Sequence, residues 1–185
     1  ITAGLAFRVT RGLTVGDLPE GVRWWGSGTV GGVPVPVIIF VAVAVIAYFV
    51  LNYTTYGRSI YAVGGNPASA WLSGINIKNV LFSVYAISGF LSGLAAFIML
   101  ARSESGSMQL LKGLEIDCIA AATIGGVSLM GGRGTLIGVV LGTLIIGVVN
   151  NGLSLLFVSP AIVSSVKGTI IIVAVVVDYM RRRRR

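Results

Sequence analysis

Residues 37–51 read VIIFVAVAVIAYFVL, fifteen consecutive apolar side chains without a charge. With Val35, Pro36, Asn52 and Tyr53 the segment approaches the roughly 20 residues that a helix needs to cross about 30 Å of hydrocarbon. Lipid offers no partner for backbone N–H and C=O groups, so a spanning segment of this kind closes its hydrogen bonds internally as a helix. Further along, residues 80–101 carry no charge, and residues 134–157 and 161–177 are similar apolar runs, the last interrupted only by Lys167. Residues 118–132, CIAAATIGGVSLMGG, form a shorter run that breaks up into glycines. They read either as a short helix continued by irregular backbone or as a re-entrant segment, and irregular backbone at membrane depth belongs inside the bundle. The fold class is therefore all-α, a polytopic transmembrane helical bundle with about five spanning or partly re-entrant segments. Residues 1–185 are read as a single transmembrane domain.

Composition leads to the same class. The chain is 55% hydrophobic and only 11% charged, against roughly one-quarter charged residues in soluble domains. The formal charge is +8, and five of the cations form the terminal run 181–185 directly after an apolar segment. That placement fits the positive-inside bias of a cytoplasmic membrane end, with the lipid bilayer as the chain's surroundings and no nucleic acid as a partner. A single cysteine, Cys118, excludes an intrachain disulfide framework, and the absence of histidine removes the commonest metal ligand and general base. No metal cluster, cofactor site or catalytic triad can be assembled from what remains, and Cys118 reads as a small packed residue. The chain does not begin with Met, and residues 1–9 read as the end of something longer, so an N-terminally truncated domain is expected.

Setting residues 181–185 in the cytoplasm and alternating backwards puts Arg133 inside, residues 102–117 outside, Arg58 and Lys78 inside, and residues 17–25 outside. With Asp178 counted inside and Arg8 and Arg11 counted with the first outer segment, the inside holds eight Lys/Arg and one acid and the outside five of each, Lys167 lying near the outer end of its helix. Trp24 and Trp25 fall where the chain re-enters the bilayer, at the depth indole prefers. The adjacent GSGTVG, residues 26–31, matches a dinucleotide-binding pattern by composition, but Pro34 and Pro36 follow where a helix would have to start, and the match is accidental.

Small and polar residues then sort the helices. Ser88, Gly89, Ser92 and Gly93 form a patch at i, i+4 spacing that permits close backbone approach, and packing is its expected role. In residues 134–157, Gly134, Gly138 and Gly142 lie within roughly 80° of one another, while Thr143, Gly147, Asn150, Asn151 and Ser154 gather on a separate face. Thr143, Asn150, Asn151 and Ser154 are the candidates for a translocation path, because Asn offers both donor and acceptor without charge. Hydrogen bonding between helices is the competing reading. Glu115 and Asp117 point to different sides of a helix and are candidates for contacts at the outer mouth, or are merely solvated there.

Residues 56–78, YGRSIYAVGGNPASAWLSGINIK, are the polar interval in this landscape. Asn66 is a good N-cap, Pro67 suits the first helical position and Gly74 can close the segment as a left-handed residue. They bracket a helix of about seven residues, marginal alone in water, that carries Ala68, Trp71, Leu72 and Ile75. Such an apolar face either lies on its own membrane or docks on another protein. Residues 56–79 are expected to be a cytoplasmic loop.

This string, together with GLEIDCIAAATIGGVSLMGGRGTLIG and IIGVVNNGLSLL in the same order, closely resembles the membrane permease subunits of bacterial ATP-binding-cassette importers for ribose and other monosaccharides, over residues from about 26 to 178. The resemblance implies an all-helical permease of the bacterial inner (plasma) membrane, working with a second permease subunit as a homo- or heterodimer. It also implies a cytoplasmic ATP-binding-cassette ATPase and a periplasmic or extracellular sugar-binding protein as partners. Family members are longer, so the chain corresponds to the C-terminal half or slightly more. Asn66, Pro67, Ala68, Trp71, Leu72, Gly74 and Ile75 match the coupling-helix region that sits in a groove of the ATPase, with departures at Trp71, where a basic residue is common, and Ser69, where Ala is. None of Lys78, Lys112 or Lys167 follows a glycine, so the chain has no phosphate-binding loop and ATP hydrolysis has to come from another subunit. The chain itself is not an enzyme on this reading. A related importer for another small solute, or a non-transporting membrane scaffold, are the alternatives.

Overall fold

The computed structural model describes residues 19–106 and 113–156, together with isolated positions 8, 16, 168, 169, 172 and 176. The arginine run 181–185, the apolar run 161–177 as a continuous segment, Lys167 and Asp17 lie outside the described residues. Within residues 19–106 and 113–156, seven helices and one hairpin follow in order: α1 (Glu20–Ser27), β1 (Thr29–Val30), β2 (Val33–Pro34), α2 (Val35–Tyr53), α3 (Thr55–Gly65), α4 (Pro67–Leu72), α5 (Ile77–Ser103), α6 (Leu114–Ile124) and α7 (Leu136–Leu155). Among the described residues, α2, α5 and α7 are long and apolar enough to cross a membrane, with mean hydropathies of 2.6, 2.0 and 2.0. Few of their side chains are buried among the described residues, so their cover has to come from outside these residues, from lipid or from further protein. Tyr48, Phe49 and Tyr53 cluster at the end of α2, with Phe49 and Tyr53 stacked at 5.5 Å, as in an interfacial aromatic belt.

The chain divides into two compact units, residues 1–46 with 81–112 and residues 47–80 with 113–185. In the first, α1 sits on the C-terminal end of α5. Gly26 is buried against the Ala101 and Arg102 backbone, so closely that a Cβ there would clash. Arg23 Nε reaches Glu104 Oε1 at 2.6 Å. Both side chains are about half exposed, so the pair fixes position and adds no more than about 1 kcal/mol. The GSGTVG stretch straddles the end of α1 and strand β1, which pairs antiparallel with β2 across a Gly31–Gly32 turn. The stretch ends in a hairpin, yet Pro34 and Pro36 do not keep a helix from following: Pro36 lies in the first turn of α2, where its missing N–H would have no partner in any case.

In the second unit, α2 bends into α3 at Thr54. Its hydroxyl donates to the Val50 carbonyl at 2.6 Å and accepts from Gly57 N–H at 3.2 Å. Helix α3 was hidden inside the interval 56–78, which is two capped helices and a short connection rather than an open loop. Helix α5 begins at Ile77, three residues before the apolar run, because the Asn76 side chain accepts from Asn79 N–H at 3.2 Å.

Residues 118–132 adopt the first of the two forms read from the sequence. Helix α6 ends at Ile124, and the backbone continues irregularly to Thr135. Ala120, Ala121 and Thr123 are buried, and Ala120 and Ala121 form a small core with Ile146 of α7. Cys118 is exposed, contrary to the packed role expected from its apolar surroundings. The side of α6 turned toward α7 is the alanine side, and Cys118 falls off it.

Candidate functional site

Helix α4 is fixed at both ends by local chemistry. Asn66 serves simultaneously as C-cap of α3, donating its N–H to Ala62 at 3.0 Å, and as N-cap of α4, where its side-chain oxygen accepts from Ser69 N–H at 3.1 Å. Pro67 occupies the first helical position, where its missing N–H costs nothing. At the other end Gly74 takes the left-handed conformation (φ +81°), donating to Trp71 O at 2.9 Å, while Ile75 N–H reaches Ala70 O at 3.1 Å. These two bonds make a complete Schellman closure. A six-residue helix that would be marginal alone is thereby held in one form.

What α4 presents is apolar. Ala70 turns inward and is buried, whereas Trp71 is 68% and Leu72 78% exposed. Ala68 is also exposed, and Ile75 is half-buried. Trp71, Gly74, Ile75, Asn76, Ile77 and Lys78 line an open depression beside the helix, of about 540 Å³. Trp71 and Ile75 thus share a face as their spacing implied. Leu72 stands as the most exposed of the three.

The second set of candidates lies on α6 and α7. Gly138 and Gly142 pack directly on the Gly125 and Ala121 carbonyls, so the tight-packing side of α7 is filled by α6. Gly134 is not part of that stripe. It precedes the helix, which starts at Leu136 with Thr135 as N-cap, its hydroxyl accepting from Gly138 N–H at 3.2 Å. Asn150 and Asp117, assigned to different roles from sequence, are bonded to each other: Asn150 Nδ2 donates to Asp117 Oδ2 at 2.9 Å. Asp117 is half-buried rather than merely solvated, and Glu115 is exposed. Asn150 Oδ1 is buried without a hydrogen-bond partner among the described residues. Thr143, Asn151 and Ser154 are exposed, with the Thr143 hydroxyl donating back to Val139 O at 2.9 Å. The polar face of α7 is therefore split, one residue engaged with α6 and three facing outward.

A third contact was not foreseen. The last turn of α3 lies against the loop before α7: a Cβ on Gly64 would stand 2.8 Å from Gly132 N, and one on Gly131 would stand 2.6 Å from Gly64 O. The Tyr61 hydroxyl donates to Gly134 O at 3.1 Å across 73 residues of sequence. Two Gly-Gly pairs, at 64–65 and 131–132, were the available signal. They read as flexible punctuation until the contact is seen.

Residues 5–175 match the family described as branched-chain amino acid transport system / permease component. The chain belongs to this permease family. It is 45% identical over 159 residues to the ribose import permease protein RbsC of Escherichia coli K12, an alignment covering 86% of this chain and 50% of the relative. The Bacillus subtilis protein of the same name is 43% identical over 158 residues, covering 85% and 49%. The L-arabinose transport system permease protein AraH of E. coli K12 is 36% identical over 185 residues, covering 100% and 56%. The permease spans about half the length of the curated relatives it matches. No solved structure matches it. The permease is a multi-pass membrane protein and a transport component, in agreement with the three helices among the described residues that are long and apolar enough to cross a membrane.

Proposed function

We propose that the permease is the membrane subunit of an ATP-driven importer that carries a monosaccharide of the ribose type across the bacterial inner membrane. Helix α4 seats in a groove of a cytoplasmic ATP-binding-cassette ATPase. A periplasmic or extracellular sugar-binding protein delivers substrate to the opposite side, and a second permease subunit completes the pathway. The observation that carries this reading is the construction of α4. Asn66, Pro67 and Gly74 hold a short helix rigid, while Trp71 and Leu72, 68% and 78% exposed, are left without cover. Preorganising an apolar anchor in this way cuts the ordering cost of docking.

The contacts agree with the alternating orientation. Arg23 with Glu104, and Tyr61 with Gly134, each join segments assigned to one side. The C-terminus is cytoplasmic on this reading, with residues 181–185 as the inner anchor. Residues 56–79 are then the cytoplasmic connection, and Glu115 and Asp117 lie toward the outer mouth. Thr143, Asn151 and Ser154 line the sugar's path, their amide and hydroxyl groups suited to sugar hydroxyls. Asn150 borders that path while bonded to Asp117. The family's description favours one second reading, an importer of the same architecture for a branched-chain amino acid. Three relatives named for ribose and arabinose weigh toward the sugar.

Co-expression with an ABC ATPase, followed by reconstitution with a sugar-binding protein and uptake of labelled ribose or leucine, separates the two. Trp71→Asp and Leu72→Asp are expected to insert normally while losing ATPase capture and uptake. Buried apolar anchors of this kind are typically worth about 2 kcal/mol or more, roughly thirtyfold in affinity. Wild-type uptake by both variants would sink the docking assignment. Leucine uptake without ribose uptake would sink the sugar.

A further inference from the structure

We propose that the glycine contact between the end of α3 and the loop preceding α7 is a joint through which a partner seated on α4 moves the α6–α7 hairpin, with Tyr61, Gly64 and Gly132 as its positioning residues. The inference rests on the reading of α4 as a docking helix and adds the route by which docking is felt inside the membrane domain.

The contact is made of backbone. A Cβ on Gly64 would lie 2.8 Å from Gly132 N and 3.3 Å from its Cα, and a Cβ on Gly132 would be driven into the Gly65 backbone. With no side chain between the two segments, no rotamer change can absorb a displacement, so a shift of one backbone is passed to the other. Close-packed contacts respond by switching between arrangements rather than by deforming smoothly.

Each side of the joint is tied to its element with little slack. On the outer side Asn66 caps α3 and α4 at once, so α4 cannot tilt without turning the last turn of α3, where Gly64 and Gly65 sit. On the inner side the loop is bonded to itself, Ser128 N–H to Arg133 O and Gly131 N–H to Ser128 O, both at 3.0 Å. It leaves α6 through a second Schellman closure, Gly126 N–H to Thr123 O and Val127 N–H to Ala122 O, and enters α7 at the Thr135 cap. The Tyr61 hydroxyl pins α3 to Gly134, one residue before that cap. Beyond the loop, the Gly138 and Gly142 contacts and the Asp117–Asn150 bond hold α6 and α7 together. A push on α4 therefore reaches the hairpin that carries the polar residues of α7.

The test is hydrogen exchange on the permease in lipid nanodiscs, with and without the ATPase. In the wild-type protein, ATPase addition is expected to slow or redistribute exchange at residues 66–78 and also at residues 125–134. In Gly132→Ala and Tyr61→Phe the response at 66–78 persists, while that at 125–134 falls by roughly two- to thirtyfold, the range for residues that carry coupling without touching a ligand. Where Gly132→Ala does not insert, Tyr61→Phe decides, because it deletes one hydroxyl and no packing. Wild-type responses in both variants overturn the joint, and so does loss of both responses together, which would make these residues part of the docking surface alone. A wild-type permease that captures no ATPase overturns the functional reading and the joint with it. Capture with no response at 125–134 overturns the joint alone.

Discussion

Helices α5 and α7 carry the same kind of signal and meet opposite fates. On α7, Gly138 and Gly142 are occupied: Gly142 presses on the Ala121 carbonyl of α6 and Gly138 on the carbonyl of Gly125, the C-cap of that helix. On α5, Gly89 and Gly93 have nothing within 4 Å, and Ser92 only donates back to Ser88 O at 2.8 Å. The packing role expected of the α5 patch is not realised among the described residues. Small residues at i, i+4 lower the cost of close approach, yet they supply no attraction of their own in lipid. What α7 has and α5 lacks among the described residues is a partner helix folded back on it and a side-chain hydrogen bond, Asn150 to Asp117, that joins the two.

The contrast can be broken at three depths. Gly142→Leu should do the most damage, forcing a side chain into the Ala121 carbonyl and costing about 3 kcal/mol. Thermal unfolding in nanodiscs would register it, and an unchanged midpoint would mean that α6 and α7 are not in contact. Asn150→Ala removes a donor from Asp117 and is expected to cost about 1–3 kcal/mol if the pair behaves as a buried charge-assisted bond, or nearer 0.6 kcal/mol if it follows the average between membrane helices. The same unfolding measurement separates the two. Gly93→Ala should be the mildest, neutral or stabilising by up to about 1 kcal/mol because alanine is the better helix former and its Cβ meets open space. A clear loss of stability there would reveal that this face is covered.

Local rules made a good part of the permease legible. Apolar runs gave α2, α5 and α7 to within a few residues, because a spanning helix is dictated by length and solvent alone. Asn66, Pro67 and Gly74 gave α4, because caps act within one turn. What sequence could not supply depends on distant partners. Asp117 and Asn150 are separated by 33 residues and Tyr61 and Gly134 by 73, and neither pairing leaves a periodicity to detect. Helix α3 escaped for a different reason. Its polar surface and terminal glycines resemble a loop, and it is the Thr54 cap and the buried Gly57 and Val63 that settle it as helix.

The bond between Asp117 and Asn150 also bears on how the chain enters the membrane. Helix α6 has eleven residues, about 16 Å, and two acids in its first turn, Glu115 and Asp117, so it is too short and too polar to partition by itself. Helix α7, with twenty residues, needs no such help. One donor for Asp117, the Asn150 amide, is synthesised 33 residues later. The expected consequence is that during translation α6 stays at the surface until most of α7 has emerged, and that the two cross the interface as a hairpin. With Cys118→Ser and Ala120→Cys combined, nascent chains arrested before Asn150 are expected to leave the new thiol accessible to water-soluble reagents, and chains arrested beyond α7 to protect it, because position 120 is buried against α7.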